Sequence, residues 1–407
     1  MGLPEDLVKQ TRALMGDEAF ESLADALEQD APVSIRLNPF KGGFEPVSHD
    51  GRVPWCPSGY YLSSRPAFTF DPLLHAGVYY VQEASSMFLD EVLRQHLPQQ
   101  PVLFLDMCAA PGGKSTLIRS AISEDSILIS NEPVRKRAQI LSENIEKWGY
   151  PNCYVTNNYP KDFRKAGLMF DAILCDVPCS GEGMFRKDEA TISEWSLQNV
   201  ERCSQLQREI IAEAWQCLLP GGLFIYSTCT FNMKENEENV RWILHEFDAE
   251  VLSVDIKSEW GITGSLLPSF DVPVYRFIPG ITRGEGLFMA VMRKGGHTPK
   301  GGGNPHAAIT KKLERMNPIV PLSLRNGAES ESSASLDYPT AISYLRGEAI
   351  VLPPDVPRGL VTVSFMGQPL GLVKNIGSRA NNLYPKEWRI KSTHIPPYPN
   401  VITEISQ

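Results

Sequence analysis

Short apolar runs alternate with amphipathic stretches through the middle of the chain. Mostly apolar runs cover 102–105, 127–130, 153–156, 170–175, 222–227 and 286–292. Continuous apolar runs of this length are typical of strands that are buried on both faces of a parallel sheet. Patterns with the helical period separate the runs, and the two clearest cover 191–218 and 234–247. The alternation predicts a doubly wound α/β sheet whose site lies at the carboxyl ends of its strands.

The segment before this alternation has a different pattern. Residues 4–28 predict two short amphipathic helices, with Asp17 as the N-cap of the second. Residues 30–80 contain short β-like runs among Pro, Gly and aromatic residues, and a helical pattern follows over 82–97. A small α+β module is therefore predicted at the N-terminus.

The segment after the alternation divides into two parts. Residues 295–335 are rich in Gly, Pro and Ser and predict a connecting segment, interrupted by a helical stretch over 307–315. Short β-like runs then predict a small β-rich domain, and they cover 349–352, 360–363 and 370–373. The predicted parts are an N-terminal module (1–97), a sheet domain (98–294), the connecting segment (295–335) and the β-rich domain (336–407).

Charge is distributed unevenly along the chain. The 407 residues carry 39 Lys and Arg against 48 Asp and Glu, a net charge of −9 that argues against a generic nucleic-acid coat protein. Residues 297–407 nevertheless carry 12 basic and 8 acidic residues, a net charge of +4, so the first 296 residues carry −13. The tightest basic stretch, from Arg358 to Lys391, holds six cations and one acid. The β-rich domain is therefore the part best suited to a polyanionic partner.

The spacing of cysteine and histidine argues against a metal site. None of the eight cysteines forms a CxxC pair, and the seven histidines do not cluster near them. Most of the cysteines lie in apolar runs, as expected for reduced thiols of a cytosolic protein. No apolar run approaches the ~18 residues of a membrane span, and the N-terminus lacks the apolar region of a signal peptide. We therefore expect a cytoplasmic protein with no membrane association and no bound metal.

A turn of small residues follows the first predicted strand, with the sequence Asp-Met-Cys-Ala-Ala-Pro-Gly-Gly-Lys-Ser-Thr at 106–116. A P-loop would need glycine where Cys108 stands, and no GxGxxG fingerprint is present. The small residues would still let a ligand approach the backbone closely, and a tight turn without a ligand is the alternative. Glu132 at the end of the second strand could accept hydrogen bonds from two ribose hydroxyls, although alone it is equally typical of a solvated loop acid.

Two cysteines follow neighbouring strands of the predicted sheet. Cys179 lies in Asp-Val-Pro-Cys-Ser-Gly-Glu-Gly-Met at 176–184, and Cys229 lies in Ser-Thr-Cys-Thr at 227–230. Both should lie on the ligand-binding rim of the sheet, where a nucleophilic thiol can be partly exposed. No nearby histidine supplies a Cys–His pair, which disfavours a protease. A cysteine is otherwise commonly a small buried apolar residue, and we interpret four of them in this way: Cys153, Cys175, Cys203 and Cys217.

These motifs resemble those of a known family. The segments 106–115, 176–187 and 227–230 are similar, in order and spacing, to motifs of the Fmu/Sun family of RNA cytosine-5 methyltransferases. Residues 75–86 resemble the stretch before the family's catalytic domain, and residues 36–38 resemble its N-terminal RNA-contacting module. The closest subgroup is the RsmF-type ribosomal RNA methyltransferases, which carry a PUA-like RNA-binding domain near the C-terminus. The resemblance implies a Rossmann-like methyltransferase sheet and S-adenosylmethionine as the cofactor.

The resemblance implies a role for each of four side chains. Cys229 of the Thr-Cys motif would add to carbon 6 of cytosine, which converts the poorly nucleophilic carbon 5 into part of an enamine. Cys179 of the Pro-Cys motif would assist the elimination that releases the methylated RNA. Asp176 would hydrogen-bond the ring near nitrogen 3, and Lys114 would stabilise charge in the same pocket.

The resemblance also implies which residues hold the cofactor. Glu132 would bind the ribose, and Asp176 would lie at the cofactor as well as at the base. Family members usually carry an acid or amide facing the adenine near the end of the third strand, and we assign Asn158, with Tyr159 as the neighbouring alternative. The small-residue turn would line the cofactor with Cys108, Ala109, Ala110, Pro111, Gly112, Gly113 and Lys114.

RNA is the partner that the resemblance implies, and its target base must be accessible to the enzyme. We expect contacts from Arg36 and from six cations of the β-rich domain, for which a solvated domain face is the alternative: Arg358, Lys374, Arg379, Lys386, Arg389 and Lys391. Ribosomal RNA is the favoured substrate. The alternatives are transfer RNA and a catalytically silent RNA-binding assembly factor, which the presence of all four catalytic side chains disfavours. A monomer is expected.

Overall fold

The fold is taken from a computed structural model, which describes residues 2–297, 306–319, 330–392, 394–396 and 398–405. Of the predicted connecting segment, residues 298–305 and 320–329 lie outside the described residues. Helices and strands are numbered in chain order.

Two helices and a small antiparallel sheet form the N-terminal part. Strand β1 pairs with β3 on one side and with β4 on the other, so that Ile35 lies opposite both Tyr60 and Val81. Asp17 is the first residue of α2 rather than its N-cap, because Gly16 separates the helices, and the Asp17 carboxylate accepts a hydrogen bond from Arg12 at 2.9 Å. The elements are α1 (Glu5–Met15), α2 (Asp17–Leu27), β1 (Val33–Leu37), β2 (Phe44–Pro46), β3 (Gly59–Leu62), α3 (Pro72–His75), β4 (Tyr79–Val81) and α4 (Phe88–His96).

The central part is a large sheet with helices on both faces. Its strand order is β10-β12-β9-β8-β5-β6-β7-β13, with β11 also paired to β12. Strands β5 to β9 pair in parallel, and β12 is antiparallel to β9. The elements are β5 (Leu103–Asp106), α5 (Gly113–Ala121), β6 (Ile127–Asn131), α6 (Arg135–Trp148), β7 (Cys153–Thr156), α7 (Pro160–Lys165), β8 (Phe170–Asp176), α8 (Ala190–Glu194), α9 (Leu197–Gln216), β9 (Leu218–Thr228), α10 (Glu237–Glu246), β10 (Ala249–Val251), β11 (Tyr275–Phe277) and β12 (Leu287–Lys294).

Alternate residues of the central strands are buried on opposite faces of this sheet. Phe104 packs in an apolar cluster with Phe88 and Leu117, whereas its neighbour Leu105 packs with Ile211 in a second cluster on the other face. Both faces of the sheet are therefore buried from solvent, which explains why the central strands are mostly apolar runs. The predicted fold class, a doubly wound sheet with a small N-terminal module and a small β-rich C-terminal domain, is confirmed.

One long predicted helix is divided in two. The pattern over 191–218 predicts a single helix, but α8 ends at Glu194, and α9 begins only after Ser196. The Ser196 side chain caps α9 by accepting a hydrogen bond from the backbone N–H of Asn199 at 3.1 Å. A serine at this position therefore marks a helix start inside an otherwise continuous pattern.

The described part of the connecting segment packs on the sheet. It forms α11 (His306–Leu313) and β13 (Pro318–Ile319), and β13 extends the sheet antiparallel to β7. Ile309 and Leu313 are buried in the same apolar cluster as Phe163 of α7. These contacts hold residues 306–319 against β7 at the edge of the sheet.

The C-terminal part contains a four-stranded sheet and one helix. Its strand order is β14-β15-β16-β17, and β14 is parallel to β15. The strand predicted over 349–352 is wrong, because only an isolated bridge from Ile350 to Ala380 forms there. The helix was not predicted; Asp337 caps it by accepting from the Thr340 N–H at 3.0 Å. The elements are β14 (Ser333–Ser335), α12 (Tyr338–Leu345), β15 (Gly359–Phe365), β16 (Gln368–Asn375), β17 (Ala380–Asn382) and β18 (Thr403–Ile405).

The N-terminal and C-terminal parts share one apolar core. Ile35 and Leu73 belong to the same cluster as Val361 and Val373, and β18 pairs with β2. Asp71 is a buried polar anchor of this contact. Its carboxylate accepts hydrogen bonds from the Leu73 N–H (2.9 Å), the Tyr79 hydroxyl (2.9 Å) and the Ile402 N–H (3.0 Å).

We expect Asp71→Asn to destabilise the protein. All three partners are donors, so an amide NH₂ in place of one carboxylate oxygen leaves at least one buried donor unpaired. The expected loss in the free energy of unfolding is about 1–3 kcal/mol. Urea unfolding measures it, with Asp355→Asn, at an exposed position, as the matched control. An unchanged unfolding midpoint for Asp71→Asn would contradict the assigned anchor role.

Candidate active site

The four predicted catalytic side chains lie together at the carboxyl edge of the sheet. Lys114 lies in the first turn of α5, Asp176 ends β8, and the loops after β8 and β9 carry Cys179 and Cys229. Lys114 Nζ lies 2.7 Å from Asp176 Oδ2, and the Ser227 hydroxyl donates to Asp176 Oδ1 at 2.8 Å. Burial alone would lower the pKa of Lys114, but the charge of Asp176 raises it above its ordinary value. The lysine is therefore a cation held against a carboxylate.

The two cysteines are in direct contact. Their sulfur atoms lie 3.0 Å apart, and the backbone N–H of Cys229 donates to Cys179 Sγ at 3.4 Å. The hydrogen bond with Cys229 and burial together raise the pKa of Cys179 well above its ordinary value. Cys179 is thus a thiol at neutral pH, and its S–H can be donated to the Cys229 sulfur.

The turn after β5 carries a buried acid that sequence reasoning did not assign to the site. Asp106 ends β5, and its Oδ2 accepts a hydrogen bond from the Ser115 hydroxyl at 2.6 Å. Its Oδ1 is buried and has no partner among the described residues. Gly112 caps α5 with a φ of +118°, a conformation that strains other residues. An acid that ends a buried strand directly before such a turn was the available signal.

The ends of β6 and β7 meet this turn. Glu132 is 1% exposed, and its carboxylate accepts from the Val134 N–H at 2.9 Å and lies 3.2 Å from Arg137. Asn131, which sequence reasoning missed, donates its amide N–H groups to the carbonyl oxygens of Met107 and Asn158. One buried amide therefore joins the three loops that follow β5, β6 and β7.

Asn158 and Tyr159 differ sharply in exposure. Asn158 is 9% exposed, and its Nδ2 is buried without a partner among the described residues. Its Oδ1 faces the Asn317 N–H at 3.4 Å. Tyr159 is 63% exposed. Asn158 is thus the better placed of the two to hold a buried ligand.

The residues at this edge fit the cofactor that the motifs imply. S-adenosylmethionine offers an adenine, a ribose diol and a cationic amino-acid end. The edge offers a free acceptor on Asp106, the Glu132 carboxylate and a free donor on Asn158. Unpaired buried polar atoms are costly in a folded protein, so their presence at one edge favours a polar ligand there.

Two searches of the described residues found nothing. No group of three or more His, Cys, Asp or Glu side chains is arranged to hold a metal ion. None of the helices in these ranges has the length and apolar character to cross a bilayer.

Arg36 lies inside the protein. Its Nε donates to Gln82 Oε1 at 2.7 Å, its Nη2 donates to the Thr116 hydroxyl at 2.6 Å, and it lies over the Trp148 ring. It is 1% exposed, and burial lowers its pKa to about 10. The predicted RNA contact is therefore corrected: Arg36 is buried and joins the N-terminal module to the sheet domain through its Nε and Nη2 groups.

Five of the six predicted cations of the β-rich domain are exposed. Arg358, Lys374 and Arg379 lie at one end of the four-stranded sheet, where Gly359, Asn375 and Ala380 pair across its strands. Lys386 and Lys391 are exposed in the segment after β17. Arg389 is the exception, because it is half-buried against Gly347 and donates to the Tyr384 carbonyl oxygen at 3.4 Å.

Three family models match consecutive parts of the chain. The model of the N-terminal domain of 16S rRNA methyltransferase RsmF matches residues 3–84. The model of 16S rRNA methyltransferase RsmB/F matches residues 95–293, and that of the methyltransferase RsmF PUA domain matches residues 331–390. The PUA-like assignment of the β-rich domain is thereby confirmed.

Curated relatives match over most of the chain and carry the name ribosomal RNA small subunit methyltransferase F. The relative from Pectobacterium atrosepticum is 33% identical over 315 residues, which are 73% of this chain and 64% of that relative. The relative from Cronobacter sakazakii is 31% identical over an alignment of 430 positions, gaps included, which covers 89% of this chain and 86% of that relative. The chain thus spans slightly less than two thirds of the first relative and most of the second.

Two solved structures from Pyrococcus horikoshii resemble 72% of this chain. A methyltransferase homolog protein has a TM-score of 0.60 and 27% identity, with 96% of its chain covered. The structure of NSun6 with SFG has a TM-score of 0.60 and 21% identity, with 99% covered. The second likeness supports the fold alone.

Asp106 should make stability depend on pH. Burial raises its pKa from an ordinary 3.8 to about 7, so the folded state holds this proton where the unfolded state has lost it. Its contribution to the free energy of unfolding is full below the ordinary pKa and falls as pH rises, by up to about 1.4 kcal/mol per pH unit below pH 7. Urea unfolding from pH 5 to 8 should show this slope in the wild type and a shallower one in Asp106→Asn.

The exposed Asp271→Asn is the control for this measurement and should keep the wild-type slope. Equal slopes in the wild type and Asp106→Asn would contradict the raised pKa of Asp106.

Proposed function

The chain belongs to the ribosomal RNA small subunit methyltransferase F family, and we propose that it methylates carbon 5 of a cytosine in ribosomal RNA with S-adenosylmethionine as the methyl donor. The observation that carries this proposal is the contact between two strand-end thiols, 3.0 Å apart, beside the Asp176–Lys114 pair. Two sulfurs at this distance can serve adjacent atoms of one pyrimidine ring. The order of the three matched family models supports the same reaction.

Cys229 is the nucleophile in this proposal. Carbon 5 of cytosine is a poor nucleophile, and covalent addition of a thiolate to carbon 6 makes it part of an enamine. S-adenosylmethionine supplies the electrophilic methyl group that carbon 5 then takes up. The covalent bond between Cys229 Sγ and carbon 6 thus divides one difficult step into two easier ones.

Asp176 and Lys114 manage the charge of the base. As the thiolate adds, electron density moves toward nitrogen 3 of the ring, and a proton held there stabilises the adduct. Lys114 Nζ and the Ser227 hydroxyl both donate to Asp176, one to each carboxylate oxygen. They orient the carboxylate toward the base, and Lys114 supplies a cation in the same pocket.

Cys179 completes the reaction by releasing the product. The adduct must lose the proton on carbon 5 before the bond between Cys229 and carbon 6 breaks. Cys179 first loses its thiol proton to water; the resulting thiolate accepts the carbon 5 proton, and the electron pair of that C–H bond re-forms the ring double bond. Cys229 leaves as a thiolate. The 3.0 Å contact between the sulfurs of Cys179 and Cys229 supports this role.

The edge formed by β5, β6 and β7 holds the cofactor. The turn from Cys108 to Lys114 provides its backbone wall, Glu132 accepts from the ribose hydroxyls, and Asn158 faces the adenine. Asp106 is added to the predicted set, because its unpaired oxygen suits the cationic amino group of the cofactor. Asp176 lies between the cofactor and the base.

Ribosomal RNA is the favoured substrate because the curated relatives are named for it. The N-terminal module (1–97) and the β-rich domain (336–407) hold the RNA against the sheet domain (98–294), and 295–335 connects them. All eight cysteines are free thiols, which suits the reducing cytoplasm. A monomer is the proposed state, because Lys114, Asp176, Cys179 and Cys229 are brought together within one chain.

We expect Cys229→Ala to abolish methylation and to form no covalent RNA adduct, because the nucleophile is gone. Cys179→Ala should instead accumulate the adduct, since addition proceeds but elimination is blocked. Both are measured with transcribed ribosomal RNA and labelled S-adenosylmethionine, followed by denaturing gels that detect the covalent complex. Transfer RNA is run in parallel as the alternative substrate.

Cys217→Ala, a buried cysteine directly before β9 at the opposite edge of the sheet, is the matched control and should methylate at the wild-type rate. An adduct formed by Cys229→Ala would overturn the assignment of the nucleophile. Methylation of transfer RNA alone would redirect the substrate proposal.

We expect the triple variant Arg358→Gln, Lys374→Gln and Arg379→Gln to bind RNA more weakly. Each lost phosphate contact should reduce the slope of log affinity against log salt by about 0.7–0.9. Fluorescence anisotropy at several salt concentrations measures both quantities. Charge substitution is used instead of deletion because the β-rich domain shares a core with the N-terminal module.

The control for this experiment removes the same charge elsewhere, through Lys9→Gln, Arg241→Gln and Lys257→Gln at exposed positions. Equal affinities and salt slopes for the two triple variants would show that the first cluster is only a solvated face.

A further inference from the structure

Glu182 is a buried carboxylate beside the two cysteines that the reaction does not use. It follows Cys179 by three residues, and it is 1% exposed. Its Oε2 accepts hydrogen bonds from the backbone N–H groups of Phe231 (2.6 Å) and Asn232 (2.9 Å). Its Oε1 accepts from Trp195 Nε1 and from the Asn232 amide, each at 2.9 Å. Glu182 therefore reaches from the Pro-Cys loop to the backbone just beyond Cys229.

The next residue holds the nucleophile itself. The backbone N–H of Gly183 donates to the carbonyl oxygen of Cys229 at 2.9 Å. A Cβ on Gly183 would lie 2.9 Å from that oxygen and 2.7 Å from the Gly286 oxygen, so a side chain has no room here. Glu182 and Gly183 thus hydrogen-bond to three consecutive peptide units of the Thr-Cys loop, the segment after β9 that carries Cys229.

A second buried carboxylate makes the reverse connection. Glu235, in the Thr-Cys loop, accepts from the backbone N–H of Ser180 at 3.0 Å and from Gln207 Nε2 at 2.7 Å. The Asn232 amide bridges the two carboxylates, with contacts of 2.9 Å to Glu182 and 2.8 Å to Glu235. Each cysteine loop is therefore held by an acid from the other.

The groups that donate to Glu182 are uncharged, so no cation among them offsets the free-energy cost of burying its carboxylate. A carboxylate loses several kcal/mol of hydration when it leaves water, and here peptide and side-chain dipoles among the described residues offset that loss. A carboxylate accepts from several N–H groups at once, whereas an amide at the same place turns one oxygen into a donor. The site thus requires a group that only accepts.

We propose that Glu182 is a positioning residue that keeps the sulfurs of Cys179 and Cys229 in contact by fixing the Thr-Cys loop against the Pro-Cys loop. The inference rests on the proposed function, since both thiols must reach one base. Without the carboxylate, the peptide N–H groups of Phe231 and Asn232 lose their acceptor, and the loop that carries Cys229 is released from the loop that carries Cys179.

The test separates sulfur contact from catalysis. Diamide takes two hydrogen atoms from a pair of adjacent thiols, which become a disulfide while diamide becomes a hydrazine. We expect Glu182→Ala to slow this crosslinking of Cys179 to Cys229 and to lower kcat, each by about 100-fold, as a displacement near 1 Å does. KM for S-adenosylmethionine should stay within about twofold because the cofactor edge is untouched.

Glu182→Gln keeps the volume of the side chain and decides the matter if the alanine variant does not fold. Its crosslinking rate and its kcat should lie between those of the wild type and Glu182→Ala. The glutamine oxygen still accepts hydrogen bonds, but the NH₂ group that replaces the second carboxylate oxygen is a donor placed against other donors. Asp71→Asn, a buried acid far from the sulfurs, is the control for general destabilisation and should crosslink at the wild-type rate.

Wild-type crosslinking and kcat in folded Glu182→Gln or Glu182→Ala would overturn the positioning role. The crosslinking rate is read without RNA, so the two proposals fail separately. A wild type that crosslinks in a Glu182-dependent way but leaves ribosomal RNA unmethylated would refute the proposed function alone.

Discussion

Carboxylates buried at the carboxyl edge of the sheet, with uncharged donors around most of them, are the interaction on which this site depends. Asp106 ends β5, and Glu182 and Glu235 lie beyond the ends of β8 and β9; each accepts hydrogen bonds from a loop or helix beyond its own strand end. Loops are ordinarily the mobile part of a fold. Here the cost of burying an acid is offset only when the neighbouring loop is in place, so ordering of one loop requires ordering of the next.

The terminal parts of the chain form a second unit around this site. The N-terminal module contributes Arg36 to the sheet domain and an apolar face to the β-rich domain. Lys147 of α6 lies 5.4 Å from the Trp388 ring centre, so the β-rich domain also contacts the sheet domain. The charge split along the sequence therefore does not describe a detachable tail. The positive domain packs on the N-terminal module and on the sheet domain, which fixes its exposed cations relative to the thiols.

Much of the fold could be predicted because burial on both faces leaves a simple trace in the sequence. The central strands of the sheet are mostly apolar, and polar residues at their carboxyl ends, such as Asp176, mark the edge that carries the candidate site. The β-rich domain was less predictable: the run at 349–352 has the composition of a strand but only one residue with a bridge partner. Pairing depends on a neighbour that local sequence does not reveal.

The residues of the candidate site also differ in whether local sequence could predict them. Cys179 and Cys229 could be predicted from their motifs, whereas Glu182 and Glu235 act on partners about 50 positions away in sequence. An acid in a loop is ordinarily solvated, so nothing local distinguishes these two. Arg36 was misleading for the converse reason: an arginine in a module expected to contact RNA suggests a phosphate partner, whereas two of its acceptors lie in α5, 77 and 80 positions away in sequence.

The pairing of β18 with β2 constrains the order in which the chain can fold during its synthesis. The two strands are separated by most of the chain, so β2 leaves the ribosome long before its partner is synthesised. Until residues 403–405 emerge, the edge of β2 and the apolar face beside it stay uncovered. A chain truncated before residue 403 therefore leaves the edge of β2 unpaired, and an unpaired edge strand favours association with other chains. The pair of β2 and β18 can therefore form only after the whole sheet domain between them has been synthesised.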